Sequence, residues 1–254
     1  MTFAPELYLL LVAVVLVAGF LNGAAGYGFA FVAVIGFALV LDPKLAVIVI
    51  SLITPVLTTV QLRRHWAFRG VTWRLKALLA AAMVGTVVGT QLLIVLPSYA
   101  LAIVLALFAL WYAISSLRGG PRLMSPRVER YAGPPVGFLA GIVNGTVGAS
   151  GPLLGSYLLA LNLKGRDWVF AISVVFWAMS WVRVGALAAT DQYRLEVVLL
   201  GLGLAIPAYL AQLGGFALQA RLPAETLQRV ILLIVLLSGL NLLWRGIGQA
   251  MAAL

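Results

Sequence analysis

The chain contains no cysteine and only one histidine, His65. The lack of cysteine excludes disulfides, iron–sulfur clusters and thiolate metal sites, and one histidine is too few for a His-based zinc site. We therefore expect no metal and no cofactor. No segment matches the Gly-x-x-x-x-Gly-Lys-Ser/Thr phosphate loop, which excludes ATP hydrolysis by that route. The apolar segments carry no Ser-His-Asp set and no carboxylate pair, so the sequence predicts that the protein is not an enzyme.

Charged residues are also scarce, since they make up 9% of the 254 residues while 63% are hydrophobic. A soluble domain carries about 25% charged residues, so this chain must use lipid as its solvent. Several apolar runs approach the roughly 20 residues that a helix needs to cross a bilayer. The sequence predicts an all-α polytopic membrane protein, embedded in a lipid bilayer.

The net charge is strongly basic, at +10. In a soluble protein such a charge would suggest nucleic acid as a partner. Here the basic residues lie in short loops between apolar runs, where they report membrane orientation. We therefore expect no nucleic-acid partner.

Two glycine-rich segments repeat one another. Residues 19–26 read GFLNGAAG and residues 141–148 read GIVNGTVG, so three glycines and one asparagine recur at a fixed offset. Irregular backbone at membrane depth must be buried in protein or line a watery cavity. Paired interruptions at matching positions of two halves point to the binding site of a transporter.

The apolar segments fall into two halves of about five each. The predicted segments are residues 7–26, 28–41, 45–62, 75–96, 98–117, 136–148, 152–163, 168–189, 195–218 and 224–244. We assign residues 1–117 to a first repeat, 118–135 to a basic cytoplasmic linker and 136–254 to a second repeat. An odd number of segments inverts the second repeat and keeps the basic loops on the cytoplasmic side, with both termini outside.

Merging the first two segments of each half gives a parallel four-plus-four arrangement instead. That version places Lys164, Arg166, Arg221 and Arg229 outside, so two inverted repeats fit the charges better. The second segment of each half is short for a crossing. Each half begins either with two tilted spans or with a hairpin that dips to mid-membrane, with short or broken helices at its glycine-rich turn.

The two turns are the first candidates for a binding site. Glycine permits positive φ and close backbone approach, and a helix N-terminus behind each turn favours an anion through its free amides and dipole. Hydroxyl and amide side chains could add donors. The alternative is tight helix packing through small residues. The candidates are Asn22, Gly23, Gly26, Gly28, Asn144, Gly145, Thr146, Gly148, Ser150 and Gly151.

Three further polar residues lie inside apolar runs. Ser51 and Ser173 occupy equivalent positions of the two repeats and either complete the site or bond back to their own helices. Arg183 is costly in an apolar segment and is a functional hypothesis by default. The alternative is that Arg183 lies at the interface and snorkels beside Trp181.

Together these residues resemble the TauE/SafE sulfite exporter family. The resemblance rests on the glycine-rich turn in each half, the short helix after it, the serine in the next helix and Leu96-Pro97. The family's turn is a glycine triplet followed by proline. Here the first turn reads Gly26-Tyr-Gly28-Phe29 and the second reads Gly148-Ala-Ser-Gly-Pro152, a departure that bears on substrate rather than fold.

The resemblance implies a multi-pass carrier of the bacterial inner membrane that moves sulfite, sulfonates or related small anions, often outward. We expect a secondary transporter, an exporter, that works by alternating access between the two repeats. An anion channel and an accessory membrane subunit are the alternatives. A proton as coupling ion and a homodimeric assembly remain open.

Overall fold

The part of the chain that the structure describes consists of helices joined by short turns. The computed structural model describes residues 5–117, 123–148 and 150–219, together with 233, 236–237, 239–244, 246–248 and 251. The helices, in chain order, are α1 Pro5–Ala25, α2 Phe29–Ala38, α3 Pro43–Arg64, a 3₁₀ helix Trp66–Trp73, α4 Lys76–Val95, α5 Ser98–Leu117, α6 Pro126–Val147, α7 Gly151–Ala160, α8 Gly165–Ala188 and α9 Leu195–Leu218.

Five of the described helices, α1, α3, α4, α8 and α9, are long and apolar enough to cross a membrane. The main departure from the predicted segments is α6, which begins at Pro126 inside the stretch that we assigned to the linker. Proline disfavours a helix interior, so Pro134 and Pro135 suggested a later start, yet α6 runs through both. Linker residues 118–122 and most of the segment predicted at 224–244 lie outside the described residues.

Glycines bring two pairs of helices into backbone contact. A Cβ atom placed on Gly19 would lie 2.4 Å from the carbonyl oxygen of Ala208, which joins α1 to α9. A Cβ on Gly141 would lie 2.2 Å from the carbonyl oxygen of Ala82, which joins α6 to α4. Small residues permit this approach between membrane helices. Gly85 of α4 makes the same kind of contact, since a Cβ there would lie 2.1 Å from the carbonyl oxygen of Phe138 in α6.

Helices α3 and α8 lie against each other in the middle of the molecule and run antiparallel. In the first half of α3, Ser51 shares a 2.7 Å hydrogen bond with Tyr193, which follows α8. One and a half turns before the end of α3, Thr59 accepts a 3.1 Å hydrogen bond from the indole of Trp177. The earlier residue of α3 thus contacts the later partner, and the later residue contacts the earlier one, as antiparallel helices require.

Helices α2 and α7 are too short to cross a bilayer. Each has ten residues, which rise about 15 Å against a hydrocarbon core of about 30 Å. Helix α7 returns along α6, because the amide of Met124 donates to the carbonyl of Ala160 at 2.9 Å and the Tyr157 hydroxyl reaches the carbonyl of Glu129. Helix α2 returns along α1, where Gly36 lies against Val14. Each half thus contains a helical hairpin with a glycine turn.

Candidate functional site

The first glycine turn joins α1 to α2 through two left-handed residues. Gly26 has φ +83° and Gly28 has φ +106°, a region that L side chains rarely adopt. The amide of Gly26 donates to the carbonyl of Asn22 at 2.9 Å and closes the last turn of α1. The chain then reverses, and α2 begins at Phe29 with its first amides directed back toward the turn.

The second turn also begins with a left-handed glycine. Gly148 has φ +74°, and its amide donates to the carbonyl of Asn144 at 2.9 Å, which ends α6. Helix α7 begins at Gly151 with Ser150 as its N-cap residue. The Ser150 hydroxyl makes no capping bond, although serine at this position usually bonds a backbone amide. The side chain is therefore buried without a partner.

The two turns meet at one small cavity between the hairpins. Its volume of about 30 Å³ is enough for about two water molecules. The predicted site residues that line the cavity are Asn22, Gly26, Gly28, Gly148, Gly151 and Ser173. The structure therefore brings both glycine turns to the same cavity.

Helix α3 provides one wall of the cavity with residues that we did not assign to the site. Thr54, Thr58 and Gln61 line it, and the Gln61 side-chain amide donates to the carbonyl of Gly26 at 2.5 Å. The two threonines donate their hydroxyls to carbonyls of their own helix, which leaves lone pairs for another donor. Their four- and three-residue spacing places all three on one helical face, and this polar stripe was the available sequence signal.

Arg183 lies next to the second turn and is completely buried, with 0% of its surface exposed. Its Nη1 donates to the carbonyl of Asn144 at 2.9 Å, at the C-terminal end of α6, where the helix dipole favours a cation. No carboxylate within the described ranges pairs with it. The neighbouring Trp181 is 51% exposed and lies on another face of α8, so Arg183 does not snorkel beside it.

The second turn gathers several buried donors that have no acceptor among the described residues. They are Nε and Nη2 of Arg183, Nδ2 of Asn144 and Oγ of Ser150. A buried donor without a partner costs about 1–3 kcal/mol, and more when it is charged, so native structures contain few of them. A small oxyanion has several acceptor oxygens and a negative charge, which matches this set. A Cβ on Gly148 would lie 2.9 Å from Nη1 of Arg183, so the guanidinium lies directly against a residue that lines the cavity.

Seven of the predicted site residues do not line the cavity. Asn144, Ser150 and Arg183 lie at the second turn, and the other four make different contacts. Gly23 and Gly145 continue the helix contacts of Gly19 and Gly141, against α9 and α4 respectively. Thr146 donates its hydroxyl to α4 and to its own helix. Ser51 bonds the carbonyl of Ile48 and the hydroxyl of Tyr193, and burial raises the pKa of that phenol. Among the described residues, no cluster of three His, Asp or Glu side chains could hold a metal ion.

The chain matches the family model described as sulfite exporter TauE/SafE over residues 11–242. The match covers both glycine turns, the α3 wall of the cavity and Arg183. Neither a curated protein nor a solved structure matches the chain significantly. Because the family model accounts for nearly the whole sequence, the chain belongs to the sulfite exporter TauE/SafE family of membrane transporters.

Proposed function

We propose that the protein is a secondary transporter that exports a small sulfur oxyanion, such as sulfite or an organosulfonate, across the bacterial inner membrane. The anion binds between the two glycine turns, at the end of the cavity next to Arg183. The family supports membrane transport of the sulfite-exporter type. The observation that carries the choice of an anion is the set of buried, unpaired donors on Arg183, Asn144 and Ser150.

The charge balance around Arg183 supports the same choice. A buried cation without a counter-ion is costly, and the α6 carbonyl end supplies only about half an elementary charge. An anion that fills the vacant donor positions would complete the balance. The cavity has room for only about two waters, so a sulfonate with an organic group requires the hairpins to move apart. A cavity too small for such a sulfonate fits a carrier that alternates between two open states.

The helix pairs support an arrangement of two inverted repeats. Helices α1 and α9 contact each other as α6 and α4 do, through glycines at equivalent positions, and both pairs run parallel. Helices α3 and α8 are equivalent segments of the two halves, and they run antiparallel. A parallel duplication would give these two helices the same direction. Alternating access then follows from movement of one repeat against the other around the shared cavity.

The site is tested by the binding of sulfite to the purified protein, measured as ligand-induced thermal stabilisation. Arg183→Gln, Asn144→Ala and Ser150→Ala each remove donors without restricting the backbone. A lost hydrogen bond to a charged ligand costs about 1.5–3 kcal/mol, so each variant should bind about ten- to a hundredfold more weakly. Ser156→Ala on the exposed face of α7 is the matched control. Wild-type affinity in all three variants would remove these side chains from the site.

Transport in proteoliposomes separates a carrier from the two alternatives. A carrier shows saturable flux and counterflow of labelled sulfite, whereas a channel shows no counterflow and an accessory subunit alone shows no flux. Cysteine labelling tests the inverted arrangement, because Ser98→Cys should react from outside and Gly165→Cys only from the cytoplasm. Labelling of Gly165→Cys from outside would instead support parallel repeats.

We also propose that any coupling proton travels on the anion itself. None of the aspartates and glutamates among the described residues is buried, so the membrane interior of this part of the chain holds no carboxylate to carry a proton. Sulfite exchanges a proton near neutral pH and could supply one. A homodimer is retained as the proposed assembly, to be checked by the mass of the detergent-solubilised protein.

A further inference from the structure

A second and much larger cavity opens at the end of α3. Its volume is about 520 Å³, within the range of pockets that bind small organic ligands. Its walls come from the ends of α3 and α9, the 3₁₀ helix and the start of α8. We call it the vestibule, defined by Arg64, His65, Phe68, Gly165, Arg166, Val169, Phe216 and Gln219.

The charged residues that line the vestibule are all positive. Arg64 and Arg166 line it from two different helices, and none of its lining residues is acidic. The guanidinium of Arg64 lies 4.5 Å from the ring centre of Phe216, a cation–π contact that holds this charge at the wall. Both arginines remain exposed to solvent, so their charge is available to a ligand. Two cations facing one concave space raise the local concentration of anions.

The vestibule and the central cavity are separated by a single layer of residues. Val169 lines the vestibule, and its methyl carbon lies 3.0 Å from the position of a Cβ on Gly26, which lines the central cavity. Gln61 lines the central cavity, holds Gly26 by its side chain and contacts His65 of the vestibule through its carbonyl. Ser173 stands one helical turn beyond Val169 and lines the central cavity.

We propose that the vestibule is an outer binding site for the transported oxyanion, separated from the central cavity only by Gly26, Gln61 and Val169. This inference rests on the proposed function. The basic loops place the vestibule on the cytoplasmic side, which is the loading side of an exporter. The vestibule has room for a whole organosulfonate, whereas the central cavity in this conformation does not. The anion therefore binds beside the two arginines until Gly26, Gln61 and Val169 move apart.

The absence of cysteine from the chain allows a direct test on the full-length protein. Phe68→Cys places a thiol in the vestibule, and Ala67→Cys places one on the same 3₁₀ helix at an exposed position that does not line it. Each thiol is treated with the anionic 2-sulfonatoethyl methanethiosulfonate, which is itself an organosulfonate, and with a neutral methanethiosulfonate. The ratio of the two rates cancels differences in thiolate fraction, because both reagents attack the same thiolate.

We expect the anionic-to-neutral rate ratio to be about three- to tenfold higher at Phe68→Cys than at Ala67→Cys, because two nearby positive charges attract the reagent. Added salt should reduce the difference, since the site is open to solvent. Replacing both arginines, as Arg64→Gln and Arg166→Gln, should abolish it. Equal ratios at the two thiols, or a ratio that survives loss of both arginines, would overturn the proposal.

Transport kinetics separate this proposal from the central site. The variant carrying Arg64→Gln and Arg166→Gln should raise KM about three- to tenfold and leave kcat unchanged, because it weakens capture and not translocation. The control carrying Arg63→Gln and Lys164→Gln removes the same charge from neighbouring residues outside the vestibule lining, and its KM should stay at the wild-type value. An unchanged KM in the first variant would refute the outer site.

Arg183→Gln makes the two failures distinguishable. It should weaken sulfite binding in the central cavity and leave the rate ratio at Phe68→Cys at the wild-type value. Normal transport by Arg183→Gln would contradict the proposed central site. The labelling ratio at Phe68→Cys would still show whether the vestibule attracts anions. A lowered ratio in Arg183→Gln would contradict a separate outer site.

Discussion

Gly145 tests whether a repeated glycine serves helix packing or the binding site. A Cβ on Gly145 would lie 2.4 Å from the carbonyl oxygen of Thr86 and 2.6 Å from the amide nitrogen of Thr90. Both partners are backbone atoms of α4, so no side chain can rotate away. A carbon atom packs about 3.5 Å from non-bonded neighbours. Gly145→Ala must therefore move α4 and α6 apart by about 1 Å.

The cost of that separation can be set against the gain in helix propensity. Overpacking typically destabilises by about 1–3 kcal/mol, and alanine recovers about 1 kcal/mol relative to glycine inside a helix. We therefore expect Gly145→Ala to lower the free energy of unfolding by up to about 2 kcal/mol. Gly185→Ala on α8 is the matched control, because no atom lies within 4 Å of its added methyl group. That variant should be up to about 1 kcal/mol more stable than wild type.

Unfolding of both variants in detergent, followed by circular dichroism, measures the difference. The binding of sulfite per folded molecule should be unchanged in Gly145→Ala, because Gly145 does not line the central cavity. Equal stability of Gly145→Ala and Gly185→Ala would refute the close backbone contact. Normal stability with lost binding would instead make Gly145 a site residue, as its place in the turn motif suggested.

Two other predictions concern the ends of α8 and α3. Tyr193→Phe removes the hydrogen bond to Ser51 and should destabilise the protein by about 1 kcal/mol, measured by unfolding; an unchanged midpoint would show that the bond contributes nothing. Burial, reinforced by two neighbouring arginines, lowers the pKa of His65, so the unfolded chain binds a proton more readily than the folded one. Stability should therefore fall as pH drops from about 7 to about 5, and less steeply in His65→Gln; identical pH profiles would refute this.

Much of the helical plan could be predicted because it depends on local properties. Apolar runs of sufficient length set the membrane helices, and glycines at positive φ set the turns, Gly26 and Gly28 in the first and Gly148 in the second. The start of α6 at Pro126 was missed because Pro134 and Pro135 disfavour a helix interior, so the segment was predicted to begin after them. The spacing of polar residues in α3 was visible in the sequence. Their contact with Gly26 was not, since the hydrogen bond from Gln61 to Gly26 spans 35 positions of the chain.

The sequence by itself determined the repeated Gly/Asn motif, the reversal of the chain at Gly26 and Gly148, and the presence of a cation within an apolar segment. Only the tertiary structure decided what these features face. Gly23 and Gly26 belong to one repeated motif, yet Gly23 lies inside α1 against α9, while Gly26 lies beyond the helix end and lines the cavity. The depth of Arg183 was likewise undetermined, because burial depends on which neighbouring helix covers a residue. Packing between distant segments carries that information, and no local pattern contains it.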